Sequence, residues 1–195
     1  MNGKVMIDAG RGGRRACSGR LIAAEDTPTA RIGRAVTLEL ERMGYETLFS
    51  GDVEELNGAG EERGRPARCA AVSRRFGADC LLRLCVRAAE LPSEGSAVAT
   101  IHRGDRRARG LAEVILRRLD RGSELNSDAV RTASCILLLR RTVCPSVILL
   151  LRLPFAQKEA LSDADASWYG SCIAGGIAAW MRGQKNDSDC MIGKG

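Results

Sequence analysis

The chain has 195 residues, a length that fits one ordinary domain. Hydrophobic residues make up 45% of it and aromatic residues only 4%, so the composition excludes global disorder and predicts an aliphatic core. The formal net charge is +6, but the basic residues are dispersed among acidic ones, which disfavours nucleic acid as a partner.

The first part of the chain predicts a strand, a helix and a second strand. Residues 4–9 form an apolar run that ends in D-A-G, which is typical of a strand entering a Gly-rich loop. Apolar residues recur at helical spacing over 29–43, with Thr27 or Thr29 as the cap and Gly44 at the end. Residues 45–49 then predict a strand, and this order favours a sheet covered by helices.

The rest of the chain continues the alternation of strands and helices. The predicted helices lie at 66–76, 105–120 and 167–181, and the predicted strands lie at 79–86, 97–102, 135–140 and 146–151. The last two strands are near-continuous apolar runs, typical of interior strands. We expect a single α/β domain over residues 1–182, with a mixed, mostly parallel sheet of about six strands and helices on both faces. A polar tail follows at 183–195.

Cysteine and histidine usage excludes a zinc-finger arrangement. The chain has eight Cys without a C-x-x-C pair, and His102 is its one histidine. Five of the cysteines lie in apolar runs and are expected to be small core residues of a protein in a reducing compartment: Cys80, Cys85, Cys135, Cys144 and Cys172. The sequence shows no signal peptide and no apolar run of membrane-spanning length. These features predict a cytoplasmic chain, unless an export segment lies outside the sequence given.

The order of these segments and their local sequence motifs resemble those of a known family. V-M-I-D-A-G-R-G-G at 5–13 is similar to a strand and loop that reads D-x-G-H-G-G, and F-G-A-D-C-L-L-R-L-C-V-R-A at 76–88 is similar to A-D-x-F-I-S-I-H-x-N. L-L-L-R-R-T-V-C-P-S-V-I-L-L at 137–150 is similar to V-L-R-x-T-x-x-P-A-V-L-V-E. From about residue 4 to residue 181, the chain resembles the catalytic domain of the zinc-dependent N-acetylmuramoyl-L-alanine amidases of bacterial cell-wall metabolism.

The resemblance implies a zinc site whose residues have mostly been replaced. In the family, two His and one Glu bind zinc, and a second Glu activates the bound water. The matched positions here are Arg11 for the first His, Glu25 for the Glu ligand, Cys85 for the second His and Leu150 for the catalytic Glu. Arg11 has no lone pair for a metal, and Leu150 cannot accept a proton. We therefore expect a catalytically inactive, amidase-like protein of peptidoglycan metabolism that needs no cofactor, with Glu25 and Cys85 as vestigial metal ligands.

Two other functions stay open at this stage. An active zinc amidase would need an unusual ligand set such as Glu25, Cys85 and His102, and a nucleic-acid-binding domain would use the arginines of the first loop and of 103–118. The resemblance implies peptidoglycan or an active cell-wall enzyme as the partner, and members of the family are usually exported to the cell envelope. If zinc is absent, we expect Arg11 and Glu25 to form an ion pair in its place.

Overall fold

The computed structural model describes residues 2–9, 27–57, 64–89, 95–122, 126–127 and 130–192. The strands in these ranges are β1 (Lys4–Ala9), β2 (Glu46–Phe49), β3 (Cys80–Ala88), β4 (Ser96–His102), β5 (Asn126–Ser127), β6 (Arg131–Ala133) and β7 (Ser146–Leu153). The helices are α1 (Pro28–Arg42), α2 (Glu54–Asn57), α3 (Arg65–Phe76), α4 (Arg106–Gly122), α5 (Leu137–Arg141), α6 (Phe155–Glu159) and α7 (Asp163–Ile192).

The strands form one mixed, mostly parallel sheet. Its order is β2-β1-β3-β7-β4-β5, and β6 also pairs with β4. The pairing of β4 with β7 is antiparallel, and the other described pairings are parallel. The predicted α/β class and sheet type are confirmed. The carboxyl ends of β1, β3 and β7 therefore lie at one edge of the sheet, which we call the carboxyl edge.

Local sequence accounts for the start and the end of α1. The hydroxyl of Thr27 accepts a hydrogen bond from the backbone N–H of Ala30 and caps α1, and Pro28 occupies the first turn of the helix. Gly44 follows α1 with a φ of +80°, a conformation that a residue without Cβ adopts at little cost. The predicted start and end of this helix are thus confirmed.

Helices cover the sheet on both faces, as predicted. The larger core lies on the first face, where α1, α4 and α7 pack over residues such as Ile7, Leu84 and Leu149. The second face carries a smaller core around Met6 and Leu81, which is covered by α3 and α5. Since side chains alternate along a strand, β1, β3 and β7 contribute to both cores.

The prediction of a strand at 135–140 is wrong. Residues 137–141 form the short helix α5, which buries Leu138 and Leu139 and exposes Arg140. An apolar run of this length has no period that separates a strand from a helix, and here one-sided burial on the second face decides for the helix. Cys135 is exposed just before α5, so its prediction as a core residue is also wrong.

The last helix is longer than predicted. Helix α7 continues to Ile192, beyond the expected domain end at residue 182, and no proline interrupts it. Among the described helices, none combines the length and the hydrophobicity that a membrane span requires.

Candidate functional site

Two of the positions assigned by the resemblance are direct neighbours in the sheet. The register of β3 and β7 pairs Cys85 with Leu150, and both side chains project from the second face near the carboxyl edge. Neighbouring strands lie about 4.8 Å apart, so these two side chains share one surface. Cys85 and Leu150 are each partly exposed, so this row is accessible from the second face.

The other two positions, Arg11 and Glu25, lie outside the described residues. The Arg11–Glu25 ion pair therefore stays a prediction, as does the vestigial role of Glu25.

His102 lies too far from Cys85 to share a metal ion with it. The row of Cys85 and Leu150 continues to Val98 on β4, and His102 lies four residues beyond Val98, toward the amino ends of β3 and β7. His102 is displaced from Cys85 by four residues along the strand, at about 3.3 Å each, and by two strand spacings of about 4.8 Å across the sheet. The Cα atoms of Cys85 and His102 are therefore roughly 16 Å apart. Zinc ligands bind at about 2.0–2.3 Å. The geometry therefore argues against a site built from Glu25, Cys85 and His102.

The second face also holds a buried ion cluster formed by Asp8, Arg65 and Arg83. The Oδ2 atom of Asp8 accepts a hydrogen bond of 2.5 Å from Nε of Arg83, its register neighbour on β3. The Oδ1 atom lies 2.8 Å from Nη2 of Arg65, in the first turn of α3. The Asp8 side chain is 0% exposed, and the two arginine side chains are 9% and 14% exposed. The cluster thus joins β1, β3 and α3 around a fully buried carboxylate.

Surrounding polar groups hold Arg65 in place. Its Nε donates to the carbonyl of Leu56 at 3.4 Å and its Nη2 to the hydroxyl of Ser50 at 3.5 Å. The same hydroxyl accepts the backbone N–H of Ala9 at 3.1 Å, directly after Asp8. The backbone that leaves β1 is therefore linked through Ser50 to the ion cluster.

The arginines control the ionisation of the cluster. Burial alone would raise the pKa of Asp8, but Arg83 and Arg65 outweigh this effect and hold the pKa below its ordinary value. Burial would lower the pKa of Arg83, but Asp8 outweighs it and raises the pKa. The cluster is therefore ionised at neutral pH, with two positive charges for one negative charge.

Two cysteines of the second face, Cys69 and Cys85, lose their thiol protons less readily than an ordinary cysteine. Burial raises the pKa of Cys85, although Arg83 counteracts part of this effect. Burial and the neighbouring Asp8 raise the pKa of Cys69, on α3 above the cluster, to about 12. A metal-binding cysteine must lose its proton, so burial disfavours metal binding at both residues.

The residues described at the carboxyl edge do not fit a catalytic zinc ion. Cys85 is the one potential ligand among the described positions of the resemblance, and Leu150 offers neither a ligand atom nor a general base. No group of three or more His, Cys, Asp or Glu side chains is placed to bind a metal within the described ranges. Arg83 also adds positive charge, which repels a dication.

Comparison with solved structures identifies the fold. The N-acetylmuramoyl-L-alanine amidase AmiC2 of Nostoc punctiforme superposes with a TM-score of 0.71 at 20% sequence identity, over 93% of this chain and 98% of that chain. The CwlD amidase of Clostridioides difficile, described in complex with the GerS lipoprotein, superposes with a TM-score of 0.73 at 17% identity, over 92% of this chain and 98% of its own. The amidase Ami1 of Mycobacterium smegmatis gives a TM-score of 0.68 at 16% identity, over 92% and 97%.

The chain has the fold of the N-acetylmuramoyl-L-alanine amidase catalytic domain. No protein-family model and no curated protein matches its sequence. At these identities the likeness shows the amidase fold, and the chemistry must be argued from the residues of this chain. The predicted resemblance is confirmed at the level of the fold.

Sequence reasoning missed the ion cluster within this amidase fold. In the sequence, Asp8 lies near the end of an apolar run and Arg83 lies within a predicted strand, and no local pattern gives either residue a partner. A charged residue inside a strand buried on both faces needs an opposite charge nearby, and that rule was the available signal. It does not name the partner, because Arg65 lies 57 positions from Asp8 in the chain.

Proposed function

We propose that this chain is an amidase-fold protein of peptidoglycan metabolism that binds cell-wall material without zinc-dependent hydrolysis. One observation carries the proposal: Leu150 lies beside Cys85 in the sheet, at the positions that the resemblance assigns to the catalytic glutamate and a histidine ligand. The amidase fold of the whole chain supports peptidoglycan as the class of ligand.

The loss of these groups removes both parts of the hydrolytic chemistry. A general base typically accelerates a reaction by about 10²- to 10⁴-fold, and a leucine side chain supplies none of this. The zinc ion generates the attacking hydroxide near neutral pH. Without the ion and the base, the protein keeps a surface that can bind a substrate but lacks a nucleophile to cleave it.

Zinc content and hydrolysis test the proposal together. The purified chain is dialysed against zinc, its metal content is measured by elemental analysis, and muropeptides are assayed for cleavage between the muramoyl group and L-alanine. We expect less than stoichiometric zinc and no cleavage, while an active amidase of the same fold cleaves in the parallel assay. One zinc ion per chain, together with cleavage that a chelator abolishes, would refute the proposed loss of catalysis.

Sedimentation with insoluble peptidoglycan tests binding. We expect the chain to co-sediment with purified peptidoglycan, and soluble muropeptides to compete for it. Retention in the supernatant at every peptidoglycan concentration would contradict direct binding. An active cell-wall amidase would then be the partner to test, by adding this chain to that enzyme and measuring its rate of cleavage.

A further inference from the structure

The second face carries an excess of positive charge at the carboxyl edge. Arg87 on β3 and Arg152 on β7 are register partners, and both project from the face that also carries Cys85 and Leu150. The Cα atoms of such partners lie about 4.8 Å apart. Arg87 is exposed and Arg152 partly exposed, so solvent and ligands can reach both guanidinium groups.

The described residues do not neutralise this pair. Among the ion pairs of the described part of the chain, none involves Arg87 or Arg152, and the carboxylate of Asp8, on the same face, is already shared by Arg65 and Arg83. Like charges directly opposite each other on neighbouring strands destabilise a sheet. The arrangement is therefore unfavourable in isolation, and a bound anion would relieve it.

Arg68 on α3 adds a further positive charge over the second face. The Nε atom of Arg68 is buried and has no hydrogen-bond partner among the described residues. Its guanidinium approaches Gly64 at the start of α3, in the same turn as Arg65. This end of the helix also carries the positive end of the helix dipole. The electrostatics of the face thus favour an anion over a cation.

We propose that Arg87 and Arg152 form a binding subsite for an oxyanion, a carboxylate or a phosphate group, beside the row of Cys85 and Leu150. Each guanidinium can donate two parallel hydrogen bonds to such a group. The uncharged side chains of Cys85 and Leu150 lie next to the subsite, and Arg83 lies two residues before Cys85 on β3. The subsite lies two positions further along β3 and β7 than Cys85 and Leu150. The choice of wall peptides as a ligand source rests on the proposed function, whereas oxyanion binding itself does not.

Thermal unfolding and calorimetric titration with sodium phosphate and sodium acetate test the subsite, with sodium chloride at equal ionic strength as the reference. The variants are R87Q and R152Q, and R121Q is the matched control, because Arg121 is an exposed arginine on α4, over the other face. We expect the oxyanions to raise the Tm of the native chain and of R121Q. The affinity should fall about 10-fold or more in R87Q and in R152Q.

A crossover in stability separates ligand binding from a structural role. In chloride, R152Q should unfold at the same temperature as the native chain or higher, because the repulsion with Arg87 is removed. In saturating phosphate, the native chain should unfold at the higher temperature. The variant R152K keeps the charge but loses the planar fork, so we expect intermediate affinity. Equal affinity in the native chain, R87Q and R152Q, or an equal loss in R121Q, would overturn the proposal.

The source of the oxyanion is identified by a third titration. A muramoyl-peptide with free carboxylates is compared with its fully amidated counterpart. Binding of the free form alone identifies a wall peptide as the ligand, and binding of phosphate without either peptide identifies a phosphate group. Both results support the subsite, and failure of all three probes to bind refutes it. Since hydrolysis and zinc content are measured separately, an active enzyme would refute the proposed function without removing the subsite.

Discussion

Replacement of Asp8 by asparagine should destabilise the protein strongly. The Asp8→Asn substitution keeps the shape of the side chain but leaves Arg65 and Arg83 buried without a counter-charge. Removal of one partner from a buried ion pair costs on the order of 3–5 kcal/mol of unfolding free energy. For a chain of this length, each kcal/mol lowers Tm by about 2–4 °C, so the expected loss is about 6–20 °C.

The pH dependence of stability provides a second readout of the same residue. The pKa of Asp8 is lowered in the folded state, whereas an unfolded Asp titrates near pH 3.9. The unfolded state therefore binds more protons in this range. The contribution of Asp8 is complete above the unfolded pKa and is lost as the pH falls through the folded pKa. The unfolding free energy of the native chain should fall more steeply below about pH 5 than that of D8N.

Urea denaturation of the native chain, D8N and E55Q at pH 7 and pH 3.5 measures both effects. Glu55 is the control, because its ion pair with Arg75 is exposed and E55Q should cost only about 0–1 kcal/mol. The double variant D8N/R83M should recover part of the loss, since one buried charge is removed with its partner. A cost for D8N within about 1 kcal/mol of the native chain would refute the assigned role of the cluster.

Three further predictions concern packing, hydrogen bonding and thiol chemistry. A methyl group at Gly170 would lie 2.6 Å from the side chain and 2.9 Å from the backbone of Ala35 on α1, so G170A should lower the free energy of unfolding by roughly 1–3 kcal/mol in thermal unfolding. The control is G183A, whose methyl group would meet no atom within 4 Å and should leave stability unchanged or raise it. The buried hydroxyl of Thr29 accepts a backbone N–H of β3 at 3.1 Å, so T29V should cost about 1–3 kcal/mol in urea denaturation, and an unchanged midpoint would contradict this. In a titration with a thiol reagent at pH 8, exposed Cys135 should react before buried Cys69, which should react only after unfolding. Equal rates for these two residues would contradict the burial of Cys69.

The elements that the sequence predicted well are those with a clear period or a boundary signal. Helix α4 has a continuous apolar face with Leu111, Ile115 and Leu119 buried, and this repeat leaves no competing interpretation. The α5 segment failed because three consecutive leucines fit a buried strand and a short helix equally well. Its conformation depends on the cover that the second face requires, which is information from the tertiary structure.

The candidate site was predictable where it depends on register and not where it depends on long-range contacts. Once the resemblance aligned β3 and β7, the positions of Cys85 and Leu150 followed from the alternation of side chains in parallel strands. The ion cluster depends on the approach of α3 to β1, which no local pattern encodes. The pairing of Arg87 with Arg152 depends on the same register. Two arginines near strand ends form no recognisable sequence motif, and only the sheet shows that they are neighbours.

An introduced carboxylate at position 150 would report the sign of the potential on the second face. Leu150 is partly exposed on the second face. Arg83 lies two register positions before it, and the pair of Arg87 and Arg152 lies two register positions after it. At an effective dielectric constant of about 20, a charge about 7 Å away contributes about 2 kcal/mol. L150E should therefore exceed L150K in unfolding free energy by more than about 2 kcal/mol at pH 7, with L150Q between them. The neighbouring arginines should lower the pKa of the introduced Glu in the folded state. The gain in unfolding free energy of L150E over L150Q should therefore be complete above the unfolded pKa near 4.3 and be lost at lower pH. If L150K is as stable as L150E in low salt, the face is not electropositive, and the reasoning behind the oxyanion subsite fails with it.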